Sequence, residues 1–206
     1  MLTIWGRINS INVMKVLWAC AEMDIAYQRI DAGMQHGVVG SDEYGEMNPN
    51  RRVPTIRDGD FVLWESNAIV RYLAAREQRD DLLPADPRRR ADAERWMDWA
   101  TSTLAAPMTT LFWQLIRTPD ERRDPAAVER SGAECERLFS LLDRHLAGRQ
   151  HLCGDSLTVA DIAVAPFVHR WRALPIGHPE LPSLDGYYRR MMMHDAYRRH
   201  VAQALS

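Results

Sequence analysis

Lysine is nearly missing from this chain: of 26 basic residues only Lys15 is a lysine, a bias that reads as genome composition and carries no functional weight. An excess of charge of either sign is missing too. The 26 basic and 28 acidic groups leave a net −2, spread evenly along the chain, so nucleic-acid binding by bulk electrostatics has no support. No apolar run approaches the roughly 20 residues that cross a bilayer. Met1-Leu2-Thr3-Ile4 leads into a strand pattern without a basic segment followed by an apolar one, so no membrane association or export is expected. Cysteine is scarce, and Cys20, Cys135 and Cys153 are odd in number and widely spaced, which suits a reducing, cytoplasmic setting. Neither Cys-x-x-Cys, nor a phosphate-binding glycine motif, nor a nucleophile elbow occurs, and the seven histidines lack metal-ligand spacing. No metal is therefore expected.

What remains is a chain of 206 residues, 46% hydrophobic and 26% charged, long enough for one large domain or two small ones with real cores. Its pattern changes midway. Residues 1–79 mix strand and helix signals: a strand at 2–5, a helix from 11 to 22, a strand at 27–30, a polar loop with one short helix near 41–47, a hairpin turning at Asp58-Gly59-Asp60, and a helix from Glu65 to Gln78. The first strand, helix and strand form a βαβ unit, whose strands should be parallel. Pro84 and Pro87 punctuate a linker over 80–87. Residues 88–206 are helical in period. A long helix at 88–116 is expected to kink at Pro107, the next runs from Pro125 to Leu146, and Thr158-Val159-Ala160-Asp161 opens a buried central helix with a capping-box variant. Two shorter helices, at 184–193 and 196–205, close the chain.

Chemistry concentrates in four segments of the first domain, each with two readings. Ser10, at the first helix start, is either an N-cap or a hydroxyl presented with free amides to an anion, and Asn12 adds a second donor. Pro54, in Arg51-Arg52-Val53-Pro54-Thr55, is either an ordinary strand-opening proline or a cis one. The cis form turns the Val53 amide outward to pair with an extended peptide-like ligand. Glu65-Ser66-Asn67 is either a capped helix start or a cradle for an amino-acid head group, Ser66 toward the carboxylate and Glu65 toward the ammonium. Gly33-Met34-Gln35-His36-Gly37 is either plain loop or a ligand cover.

Taken in order, the serine at the first helix start, Asn48-Pro49-Asn50-Arg51-Arg52-Val53-Pro54-Thr55, Leu63-Trp64-Glu65-Ser66-Asn67-Ala68-Ile69 and Ser156-Leu157-Thr158-Val159-Ala160-Asp161 resemble the cytosolic glutathione transferases over essentially the whole chain. Ser10-Ile11-Asn12 and Arg95-Trp96-Met97-Asp98-Trp99 resemble bacterial members related to the theta class. The resemblance implies an α/β thioredoxin-like N-terminal domain, an all-α C-terminal domain, a homodimer, and glutathione as cosubstrate with no cofactor. It implies that Ser10 donates a hydrogen bond to the glutathione sulfur with help from Asn12, and that Val53 pairs with the cysteinyl part beside a cis Pro54. Glu65 and Ser66 then hold the γ-glutamyl head, with Arg52 and His36 toward the glycyl carboxylate. Met108, Phe112, Trp113 and Trp171 are the expected walls for a small hydrophobic electrophile in a cleft between domains. The expected activity is conjugation of glutathione to electrophiles, as in detoxification. The alternative is a non-catalytic interaction module of the same fold, and a dehalogenase or isomerase is a third possibility.

Overall fold

A computed structural model describes residues Met1–Ser206. The chain divides into two compact units, Met1–Leu83 and Pro84–Ser206.

The first unit is a four-stranded sheet in the order β2-β1-β3-β4, built from β1 (Leu2–Trp5), β2 (Tyr27–Ile30), β3 (Thr55–Asp58) and β4 (Phe61–Trp64). The pair β1 and β2 is parallel, as a βαβ crossover requires, while β3 runs antiparallel to both β1 and β4. Between Asp58 and Phe61, which pair across the hairpin, Gly59 takes the left-handed conformation (φ +63°) that a two-residue turn demands.

Period-two alternation assigns the faces of the sheet. Leu2 and Ile4 are buried, and Gly6 continues their side of the strand against Val13 of α1 (Ile11–Glu22). Here a Cβ on Gly6 would lie 2.4 Å from Val13 Cγ2, so only glycine allows this approach. Trp5, on the opposite face, packs with Ala32 and with Tyr44 of α2 (Asp42–Met47), bordered by Ile30, Val39, Met47 and Val53. Full burial of an aliphatic side chain such as Leu2 or Ile4 contributes roughly 1.5–3 kcal/mol. The helix α3 (Ser66–Arg76) packs against α1 and is tied to the hairpin by Tyr72 and Arg76, which both donate to Asp58. Those donors hold the Asp58 carboxyl below the usual carboxylate range.

The second unit is helical: α4 (Pro87–Trp99), α5 (Ala105–Phe112), α6 (Pro125–Leu146), α7 (Val159–Arg172), α8 (Pro182–Met191) and α9 (Asp195–His200). The helix expected over 88–116 is broken up by widened turns on either side of Pro107. Ala100–Leu104 and Trp113–Arg117 are π-helical, and the first of them directly precedes the turn holding Pro107, so the missing N–H is accommodated by a change of hydrogen-bond spacing. The closing helix is also shorter than its periodicity suggests, ending at His200.

Nearly every side of α7 is buried, and Trp171 stacks on Phe139 of α6 with ring centroids 4.3 Å apart. At its start the fully buried Asp161 accepts from Leu152 N–H (3.0 Å), Thr158 N–H (2.9 Å) and Tyr187 O–H (3.0 Å). This carboxylate therefore closes the helix end and also anchors the preceding loop and α8.

Candidate functional site

The strand register gathers the candidate segments at one end of the sheet. Trp5 pairs with Thr55 and with Ile30, and Thr55 pairs in turn with Trp64. Residues 6–10, 31–37, 53–54 and 65–66, which continue from those positions, thus leave or enter the sheet at the same edge.

Ser10 occupies the N-cap position of α1 in an extended conformation, yet its hydroxyl accepts no capping bond and has no other partner within the chain. By contrast, Ser41 at the start of α2 does accept from Tyr44 N–H, at 3.2 Å. The Ser10 hydroxyl is thus free for a ligand at a helix N-terminus, where free amides favour negative charge. Asn12 is exposed on the first turn.

The Val53–Pro54 peptide is cis. Neither the N–H nor the C=O of Val53 is engaged within the chain, although Pro54 and Thr55 beside it are buried. Residues without an assigned role in the sequence reading hold this turn in place. Tyr44 O–H donates to the Arg52 carbonyl (2.7 Å) and meets Thr55 Oγ1 (2.8 Å), while Asn48 Nδ2 donates to the same two acceptors, each at 2.9 Å. Arg51 (φ +51°) clamps the preceding loop by donating to the carbonyls of Ser41 (2.6 Å) and Val39 (3.2 Å), and only Arg52 projects freely.

Glu65 departs from the expected first-turn position. It precedes the helix with φ +72°, a left-handed conformation rare for a residue with a side chain, and its side chain is exposed while Ser66 at the first helical position is buried. Backbone of this kind is costly and persists where a site needs it. His36 lies on a single 3₁₀ turn (Met34–His36), exposed, with its Nε2 3.0 Å from Gln35 Nε2. The turn begins at Gly33, where a Cβ would lie 3.2 Å from Arg7 Nη1 and 3.5 Å from Val53 Cγ1. The His36 loop and Val53 are therefore neighbours.

The expected electrophile walls fare differently. Met108, Phe112 and Trp171 are buried to 1% exposure or less, and of the four only Trp113, 45% exposed, presents its ring to solvent. Phe112 is covered by the guanidinium groups of Arg170 (4.1 Å) and Arg117 (4.9 Å), the latter also 4.9 Å from the Trp113 ring. Three of these four residues are packing in this structure, because an apolar stripe on a helix looks alike whether it faces a core or a ligand.

Burial pushes the Cys20 and Cys135 thiols up to about 12 and that of Cys153 up to about 11, so no cysteine here supplies a thiolate nucleophile. No group of His, Cys, Asp and Glu is arranged to hold a metal ion.

Residues 1–75 match the family model described as the glutathione S-transferase N-terminal domain, and residues 125–190 match that of the C-terminal domain. The chain is 43% identical over 203 residues to glutathione S-transferase GstB of Escherichia coli (strain K12), covering 98% of each chain. The chain belongs to the glutathione S-transferase family. Among solved structures it is similar to the theta class glutathione S-transferase of Xanthomonas axonopodis pv. citri with glutathione bound, at a TM-score of 0.96, 43% identity and coverage of 100% and 99% of the two chains. Glutathione transferase F2 of Populus trichocarpa, at 20% identity and a TM-score of 0.90 over 98% and 97%, shares the fold. The thioredoxin-like sheet domain and helical domain expected from the sequence are thus those of a glutathione transferase.

Proposed function

We propose that this protein is a glutathione S-transferase that binds the cosubstrate along the 6–10, 53–54 and 65–66 edge of its sheet and holds its sulfur as a thiolate for attack on a hydrophobic electrophile. The observation that carries the reading is the Ser10 hydroxyl, unengaged at a helix N-terminus, with the unpaired Val53 amide at the same end of the sheet. The name of the GstB relative and the glutathione-bound Xanthomonas structure support it.

In this mechanism the Val53 N–H and C=O pair with the cysteinyl residue as an added strand, and Ser66 with Glu65 receives the γ-glutamyl carboxylate and ammonium. Ser10 donates its O–H to the sulfur, with Asn12 assisting. A free thiol has a pKa near 8.5 and is mostly protonated at neutral pH, and a donor to the charged form lowers that value. The thiolate then displaces a leaving group from, or adds to, an electrophilic carbon, and the serine keeps its own proton throughout. Arg52 and His36 lie toward the glycyl end. The reading includes a homodimer, to be checked by sedimentation, and a cytoplasmic setting, which the unpaired thiols suit.

Titration with glutathione while following thiolate absorbance across pH tests this. Saturable binding with a depressed thiol pKa that rises in Ser10→Ala is the expected result. Absence of binding at millimolar glutathione would overturn the enzymatic reading in favour of an interaction module of the same fold.

A further inference from the structure

Arg7 carries a charge with no counter-ion. It continues β1 past Trp5, its N–H donating to the Ala32 carbonyl at 3.2 Å. Its guanidinium reaches Gly33 and makes no hydrogen bond or ion pair within the chain, and Nε is buried without a partner. Burial alone lowers the Arg7 pKa from its ordinary value, and no acidic group opposes it. Such a half-buried, unpaired cation is costly in a folded protein and calls for an explanation.

Strand parity supplies the direction. Gly6 faces α1, so Arg7 projects to the other face, that of Trp5 and Tyr44. Ser66 opens α3, which packs on α1, whereas Gly33 and the His36 turn lie beside Val53 and Arg7. A peptide paired at Val53 with its amino-acid head at Ser66 therefore runs its other end toward Arg7.

We propose that Arg7 is the main anchor for the glycyl carboxylate of bound glutathione, a role that rests on the glutathione reading of this edge. Arg52 and His36, both exposed, stand at the rim, where solvent screening leaves a charge pair little strength. A partly desolvated guanidinium makes charge-assisted bonds that are worth more. Gly33 contributes by omission, since the Cβ it lacks would crowd Arg7 Nη1 at 3.2 Å.

The test is calorimetric titration of wild type, Arg7→Met, Arg7→Lys and Arg52→Ala with glutathione, S-methylglutathione and γ-glutamylcysteine, which lacks the glycine. Arg7→Met should weaken the first two ligands equally, on the order of 10–100-fold, leave γ-glutamylcysteine affinity and the bound thiol pKa unchanged, and be partly rescued by Arg7→Lys. Arg52→Ala should cost less than about 5-fold. Equal affinity of Arg7→Met and wild type for glutathione would overturn the assignment while leaving the transferase reading intact. So would a loss confined to ligands with a free thiol and accompanied by a raised thiol pKa, which would make Arg7 a partner of the sulfur instead. Failure of wild type to bind glutathione at all would overturn both. If Arg7→Met melts without cooperativity, Arg7→Gln replaces it, and the glycyl amide of glutathione measures on wild type what the carboxylate charge contributes. Affinity for the amide equal to that for glutathione would overturn the proposal.

Discussion

Single side chains at the sheet edge divide into those engaged by the protein and those held free. Ser10 is free, so its loss should separate stability from activity. Ser10→Ala is expected to move unfolding free energy by less than about 0.5 kcal/mol, since no cap bond is lost, where an ordinary capping serine costs about 1 kcal/mol. The same change should lower kcat/KM about 10–100-fold by removing a hydrogen bond to a charged sulfur. Denaturant titration and steady-state kinetics on one preparation check both halves. Gly6 is the opposite case, a residue with no ligand role whose change is structural. A methyl group 2.4 Å from Val13 Cγ2 must displace the Val13 side chain or α1 with it, so Gly6→Ala should destabilise by about 1–3 kcal/mol in the same denaturant assay. Ser10 was readable in the sequence because a serine before an amphipathic helix is a recognisable pattern. Arg7 was not, because a lone arginine after a strand has no signature until the absence of a counter-ion is visible in three dimensions.

Elements were legible wherever periodicity and punctuation agreed. The βαβ unit, the Asp58-Gly59-Asp60 hairpin and the Pro125–Leu146 helix follow from alternation, a turn signal and a first-turn proline respectively. Departures arose where tertiary constraints prevailed, as in the π turns around Pro107 and the left-handed Glu65. The Asn48–Tyr44–Thr55 cluster belongs to this scale, since it holds the Arg52 carbonyl and hence the turn that presents Val53. Asn48→Ala should raise KM for glutathione several-fold with a smaller change in kcat, as initial rates at varied glutathione would reveal. At the start of α7, Asp161→Ala leaves the Leu152 and Thr158 amides and the Tyr187 hydroxyl unpaired in the interior. A loss of about 3–5 kcal/mol is expected by calorimetry, enough to compromise the helical unit.

At the scale of the whole molecule, buried imidazoles in the helical unit make stability depend on pH. His169 receives Tyr188 O–H at Nδ1 and donates Nε2–H to the Gln203 carbonyl, each at 2.9 Å, so the neutral ring is fully satisfied. Burial lowers its pKa and those of His178 and His200, with the neighbouring charges of Arg170, Arg172 and Arg199 acting in the same direction. Because the folded values lie below the unfolded one, this contribution to stability is complete above about pH 6.5 and is lost as pH falls below it. Melting temperature should therefore fall between pH 7 and pH 5, and His169→Gln should flatten that slope.

The scarcity of lysine has its own consequence once burial is considered. Lys15, the single lysine, is 1% exposed within α1, so the folded surface offers no side-chain amine at all. An acylating reagent can reach that nitrogen only when α1 opens. Lys15 is thus a built-in clock for the opening of the helix that carries Ser10: its acylation, followed by peptide mass, should proceed at the rate of local unfolding and slow when glutathione occupies the sheet edge.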